Sequence, residues 1–295
     1  MKGWPESWRE TVIEHAGWEM FLMRFFLLWP IWLGVVGSVP DVQPYPTGIA
    51  HFMDLTWLGF PLVQMGLKWI FGCCAVGYLL GWWKGVASGV MAAILIGKGT
   101  LLNSLGATDH TGQLLALVVL GQSMVYGFQG KRGWTDDQAQ VWAVHWSKVI
   151  IAASYVSAGV CKLLVHDPLW IVRVPYMALQ VMKTNLQNSA NDGSLVISRL
   201  ATDFPDWVME HPQLARGFFG VGLVLELGAF LALVGRGWAL MVGVGLLGLH
   251  FGVEILMGLN FRNHSYLLVI FYVNAPWLGK WLGVRVMEVW KGWRR

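Results

Sequence analysis

Charge is what this sequence has least of. Only 13% of its 295 residues are Asp, Glu, Lys or Arg, where a soluble domain carries about 25%. Cysteine is equally sparse. There are three, and Cys73 and Cys74 are neighbours, which excludes a secreted disulfide scaffold. No internal repeat and no low-complexity linker divides the chain, so residues 1–295 read as one domain. There is no Gly-rich phosphate loop after a strand, no nucleotide fingerprint and no Ser-His-Asp arrangement. Intrinsic disorder is excluded by the opposite excess, because 56% of the residues are hydrophobic and the formal net charge is only +4.

What is there is apolar and arranged in long runs. A hydrocarbon core of about 30 Å needs roughly 20 apolar residues per helix. Eight stretches approach that, near 18–38, 60–81, 86–106, 110–129, 141–165, 214–235, 238–259 and 263–280. The expected fold class is therefore all-α, a polytopic transmembrane helical bundle of about eight spans rather than a barrel. The first run contains Arg24 and follows Glu6, Arg9, Glu10 and Glu14, so it is expected to be retained as a span and not cleaved as a signal. Basic residues fall in alternate short loops: Lys2 and Arg9, Lys84, Lys131 with Arg132, Arg236, then Lys280 to Arg295. That alternation predicts both termini on the cytoplasmic side, with a bacterial inner membrane as the expected location, and makes the positive charge topological rather than a nucleic-acid footprint. The segment 166–213 then faces outward. Its mixture of Ser194, Leu195, Val196, Ile197, Leu200, Phe204 and Trp207 with Asp203, Asp206 and Glu210 reads either as interfacial helices or as a solvated loop. Nineteen Trp serve as interfacial anchors, as an aromatic ligand site, or as both.

An ionisable residue inside a span costs roughly 2.5–3.5 kcal/mol on insertion scales, so each needs a reason. Given the orientation above, Lys98, His110, Lys162, His250, Glu254 and His264 gather toward the outer half of the bilayer. Arg24, His145 and Lys148 fall toward the inner half, with Lys68 and Glu226 nearer the middle. His250 and Glu254 are four apart and share a helix face. A metal site built on His250 needs a third ligand such as His110 or His264, and with no HxxxH or CxxC in the chain no metal is expected. Lys162 is either a desolvated amine with base character or a snorkelling lysine. Glu226 reads as a counter-ion for Lys98 or Lys68, or as part of a proton path. A transporter is compatible with such residues, but no inverted repeat or pair of broken helices supports one.

The run Tyr155-Val156-Ser157-Ala158-Gly159-Val160-Cys161-Lys162-Leu163, followed by Asp167, Pro168, Leu169 and Trp170, resembles the Y-x-x-A-G-V-K-K-L…D-W run of the vitamin K-dependent gamma-carboxylases and the wider HTTM membrane family. Asp109-His110-Thr111 is similar to that family's N-H-S at the start of a helix. Leu225-Glu226-Leu227-Gly228-Ala229-Phe230 resembles its acidic-residue helix, and His250 with Met257-Gly258-Leu259 and Asn260-Phe261 resembles its H…(M/I)-G-(M/L)-x-F segment. These pieces occur in the family's order over roughly 95–280.

The resemblance implies a reduced vitamin K-type quinone as cofactor. Lys162 would be the base that deprotonates the hydroquinone, oxygen addition would then generate a strong base, and the quinone would end as an epoxide. His110 would assist the later carbanion or carboxylation step. His250, Glu226, Glu254 and Tyr155 would form the quinone pocket. Cys161 stands where the carboxylases carry the first of two lysines, a departure that leaves the proposed base in place. The carboxylases continue into a large lumenal domain that binds the propeptide of protein substrates. These 295 residues hold only the membrane part, so the substrate is expected to be something other than a propeptide-bearing protein. The alternative expectation is a non-catalytic quinone- or lipid-binding protein, or an accessory subunit of a membrane complex. In either case the partners are membrane lipid, a quinone, an unidentified substrate or a membrane-complex subunit.

Overall fold

The computed structural model describes residues 15–106, 111–165, 168–191, 199–257, 259 and 261–293. Among them every regular element is helical. Helices α1 (Gly17–Val36), α2 (Pro61–Leu80), α3 (Lys84–Asn103), α4 (Thr111–Arg132) and α5 (Asp136–Val165) follow in order. The long connection holds α6 (Met177–Asn191) and α7 (Arg199–Glu210). Helix α8 (Pro212–Leu227) continues as a tighter 3-10 turn over Gly228–Leu233, and α9 (Arg236–Met257) follows. Helix α10 (Arg262–Leu267) runs into a π-helical stretch at Leu268–Val273, and α11 (Ala275–Trp293) is the last described element.

Among the described residues, six segments are long and apolar enough to cross a membrane: α1, α2, α3, α5, α8 with its 3-10 extension, and α9. Of the other two expected spans, helix α4 has the length, at 22 residues. The run expected over 263–280 is broken. Its α and π turns end at Asn274, which takes the left-handed conformation (φ 50°) before α11 begins. Twelve helical residues before that break rise only about 18 Å.

Local signals account for most helix ends. Pro61 opens α2, where its missing N–H and fixed φ cost nothing. Gly81 ends it with φ +84°, a conformation that penalises any residue with a Cβ. Pro30 sits inside α1, as a membrane helix tolerates. In the connection between α1 and α2, the Asp54 carboxylate accepts the Thr56 N–H (2.9 Å) and hydroxyl (2.7 Å), which holds its pKa below the usual carboxylate value.

Packing then converts the runs into a bundle. The main core collects buried residues from α1, α3, α4, α5, α9 and the π stretch, among them Ile31, Met91, Val118, Ile151, Leu246 and Phe271. A smaller core gathers Val174, Ala178, Val208, Ala215 and Phe219, with Phe204 and Met177 against it. The apolar side of α7 therefore seats Val208 and Phe204 on α6 and α8. Residues Ser194–Ile197, expected to belong to the same interfacial feature, lie outside the described residues.

Buried charges fasten the helix ends. Lys98 is buried on α3 and its Nζ donates to the carbonyls of Val35 and Gly37. It thereby caps the C-terminus of α1 from a different helix, satisfying acceptors that the helix leaves open and complementing the negative end of its dipole. At the other end of α3, Lys84 pairs with Asp136 at the start of α5. Glu226 is accordingly not the partner of Lys98, which is one of the two pairings its sequence position permitted. Replacing Lys98 with Met keeps the aliphatic stem and strands two carbonyls. Lys98→Met is expected to lose roughly 2–3 kcal/mol of stability, measured as a lowered denaturation midpoint of the detergent-solubilised protein.

Candidate functional site

The site forms where α8 packs closely against both α5 and α9. At Gly159 on α5, a Cβ would stand 2.9 Å from the Leu227 side chain, and at Gly222 on α8 a Cβ would stand 2.9 Å from Leu249. Neither position has room for a side chain, so both glycines are what allow these helices to meet. Three or four residues from each glycine on the same helix stands a polar group: Lys162 beside Gly159 and Glu226 beside Gly222. Helical spacing therefore turns the two close contacts into one meeting of side chains.

Lys162 Nζ donates to both oxygens of the Glu226 carboxylate at 2.6 Å. The lysine side chain is 35% exposed and the glutamate 11%, so the pair closes one end of the site without being sealed from its surroundings. One helical turn before Gly159, the Tyr155 hydroxyl lies 2.5 Å from His250 Nε2 on α9. The His250 ring is tilted against Phe261 with centroids 4.8 Å apart, and against His264 at 5.8 Å. His264 also meets the Tyr155 ring edge-on at 6.1 Å. A cavity of about 350 Å³ lies among these groups. Its walls are Phe219, Leu223, Leu249 and Val253, with Lys162, Glu226, Tyr155, His250 and His264 supplying the polar positions. An apolar chamber with a few converging polar groups is the ordinary form of a small-molecule site.

Four residues expected at the site come together there: Lys162, Glu226, Tyr155 and His250. Glu254 does not join them. It is exposed on α9, one turn past His250, and the cavity wall at that level is Val253. His250 meets Tyr155 from another helix, with the Phe261 and His264 rings beside it. His110 lies outside the described residues. His264, considered in the sequence only as a third metal ligand, is part of the cavity wall. Among the described residues, no three His, Cys, Asp or Glu side chains converge as they would around a metal ion.

Several lining residues escaped the sequence reading, and helical spacing was the signal for them. Ser154 and Ala158 precede Lys162 by eight and four positions, Phe219 and Leu223 precede Glu226 by seven and three, and Leu249 and Val253 flank His250. Each set is the face of a helix already marked by its polar residue. Comparison with known proteins adds no relative, since no family model, no curated protein and no solved structure matches the chain.

The arrangement has a definite chemical capacity. A lysine ammonium held by a carboxylate is a proton donor, and the same pair accepts a proton at the carboxylate once a ligand hydroxyl draws near. His250 and Tyr155 offer a second donor–acceptor pair in the same cavity. A double-mutant cycle on Lys162→Met and Glu226→Gln, read by chemical denaturation in detergent, is expected to give a coupling energy of about 1–2 kcal/mol. That is below the 3–5 kcal/mol lost when a fully buried pair is broken, because the lysine is partly exposed.

Proposed function

We propose that this protein is an integral membrane enzyme that binds a reduced, vitamin K-type quinone in the Lys162–Glu226–Tyr155–His250 cavity and oxidises it with molecular oxygen. The observation that carries the reading is the convergence of those four side chains, each expected independently from the ordered resemblance in the sequence, around a single apolar chamber. We further propose eight spans, with both termini cytoplasmic and the cavity in the outward half of a bacterial inner membrane. In that arrangement α4 and the broken segment at 262–293 serve as the fourth and eighth.

The residues fit such a ligand. Phe219, Leu223, Leu249 and Phe261 provide flat, apolar contact for a fused aromatic ring, and polar pairs stand at separate positions to receive its two hydroxyls. When bound, the hydroquinone reduces oxygen, one oxygen atom entering the ring as the epoxide and the other leaving as water.

Everything else falls to the chain. Glu226 is the group open to a proton in the paired state, and Lys162 becomes a base by passing its own proton to Glu226. The acid–base unit is thus the pair rather than the lysine alone. His250 and Tyr155 orient the opposite hydroxyl and hold or return its proton between Nε2 and the phenol. The apolar walls protect a strong base from water, as abstraction of a proton from a carbon acid requires. Whether carbon dioxide is then added belongs to the identity of the second substrate.

The closed ion pair also favours a second reading, in which the protein binds a quinone or lipid without turnover as an accessory subunit of a membrane complex. One assay separates the two. Purified protein in nanodiscs receives menaquinol and air, and epoxide is quantified by mass spectrometry. The enzyme reading expects epoxide, reduced on the order of 10²-fold or more in both Lys162→Ala and Lys162→Arg, since a guanidinium keeps the charge but is no base. Menaquinol that binds but yields no epoxide, or full activity in Lys162→Arg, overturns it.

A further inference from the structure

Helix α2 is the least covered of the six apolar segments, 17% buried over its apolar stretch against at least 28% in each of the others. Between it and α1 runs a groove of about 520 Å³, walled by Phe25, Trp29 and Trp32 on one side and by Phe71, Ala75 and Leu79 on the other. We propose that this groove holds an acyl chain of an anionic phospholipid whose phosphate pairs with Lys68.

The two helices are tied at both ends of the groove and keep a constant register. At one end Arg24 Nη1 on α1 donates to the Tyr78 carbonyl on α2 (3.1 Å). Further along, the Trp32 and Phe71 rings pack with centroids 5.5 Å apart. Just past the end of α1, Gln64 Nε2 donates to the Val39 carbonyl (2.9 Å). Each step forward along α1 is matched by an equal step back along α2, so Lys68 comes level with Val35 in the last turn of α1. Lys68 precedes Phe71 by three positions and Ala75 by seven, which puts it on the groove face of α2. Its Cα lies ~10 Å along the helix from Pro61. A helical lysine there leans back toward the helix start, the direction in which lipid headgroups lie.

The charge at that level chooses the head. Lys68 is exposed, and among the described residues it takes no part in the ion pairs that fasten the bundle. Lys98 stands within electrostatic range of it, with its Nζ committed to the Val35 and Gly37 carbonyls. Two ammonium groups therefore share the level at which α1 ends, and the groove runs from that level toward Arg24. A phosphate placed there gains from both charges, whereas a zwitterionic head brings its own cation into the same field.

The walls favour a chain over a partner helix. Helices pack together in lipid through small residues that let their backbones approach. Phe25, Trp29 and Trp32 are instead large and exposed, and stand as ridges that hold another backbone away. A flexible chain laid between these ridges and the α2 wall fills the space with van der Waals contacts that a helix backbone could not reach.

The test uses the full chain in detergent, stripped of bound lipid, and native mass spectrometry with phosphatidylglycerol, phosphatidylcholine and oleate as probes. The expected result is saturable binding of one phosphatidylglycerol, with phosphatidylcholine about fivefold weaker, the difference one lysine makes to a charged head. Lys68→Met should abolish that preference and Lys68→Arg should retain it. Trp29→Ala, which removes an exposed part of the groove wall, should weaken both phospholipids about fivefold. Trp238→Ala is the control, since Trp238 is similarly exposed on α9 and lies outside the groove. Thermal denaturation confirms that each variant is folded, and if Lys68→Met does not fold, Lys68→Gln replaces it. Absence of saturable phosphatidylglycerol binding, equal affinity for phosphatidylcholine, tighter binding of oleate, or binding unchanged in Lys68→Met or Trp29→Ala overturns the proposal. So does a protein partner retained in stoichiometric amount through Lys68. Because neither Lys68 nor Trp29 lines the Lys162 cavity, the outcome is independent of quinone oxidation.

Discussion

A charge carried into an apolar bundle has to be met there by an opposite charge or by backbone dipoles, and this one requirement arranges most of the fold. Lys98 is met by the carbonyls ending α1, which fixes α3 against α1. Lys84 meets Asp136, which fixes the other end of α3 against α5. Glu19 accepts from His15 (2.6 Å), from Arg236 at the start of α9 (3.2 Å) and from Asn274, tying three distant parts of the chain at one end of the bundle. Lys162 meets Glu226 between α5 and α8. In water such pairs would contribute little. Inside the bundle each is the condition under which its helix can be buried at all.

The same requirement explains why the site stands where it does. Three polar groups on α5, Lys148, Tyr155 and Lys162, are spaced by seven and so share one face of that helix. That face lies against α8, the 3-10 turn that follows it and the π stretch. Glycines at 159, 222 and 243 bring these elements and α9 into direct contact, the last with a Cβ position 2.8 Å from Tyr272. A chamber lies near its Lys162 end, where Met177 at the start of α6 and Leu259 join the wall.

How much of this the sequence carried depends on the range of the interaction. Apolar runs and their caps act over one helix, so six of the expected spans appear with ends shifted by a few residues, α5 beginning five residues early at Asp136. The break at Asn274 carries a local signal, an asparagine two residues before Pro276 in an otherwise apolar run, and a tertiary one that the sequence could not show, the Asn274 side chain donating to Glu19, 255 positions away. The site was legible as a set of residue types and not as a set of pairs. His250 and Glu254 share a helix face by spacing, yet His250 turns to Tyr155 and Glu254 remains on the exposed side. Glu226 could have served any nearby lysine, and only the docking of α8 on α5 at Gly159 assigns it to Lys162.

The short run from Arg262 to Asn274 gives the bundle a property that neither end has alone. Near one end His264 stands in the wall of the cavity, and at the other Asn274 holds Glu19. Between them the backbone widens from α to π, and Leu267, Leu268, Ile270, Phe271 and Tyr272 are all buried. A π stretch adds a residue to the turn, which rotates the side chains after it relative to those before it. That rotation is what lets one run present His264 to α5 and α9 and Asn274 to α1. A straight α-helix of this length, beginning at the same point, would aim Asn274 elsewhere and leave Glu19 with His15 and Arg236 only. The cavity wall and the polar cluster at the far end are therefore two ends of one packed element, whose backbone departs from α geometry at the π stretch and again at Asn274.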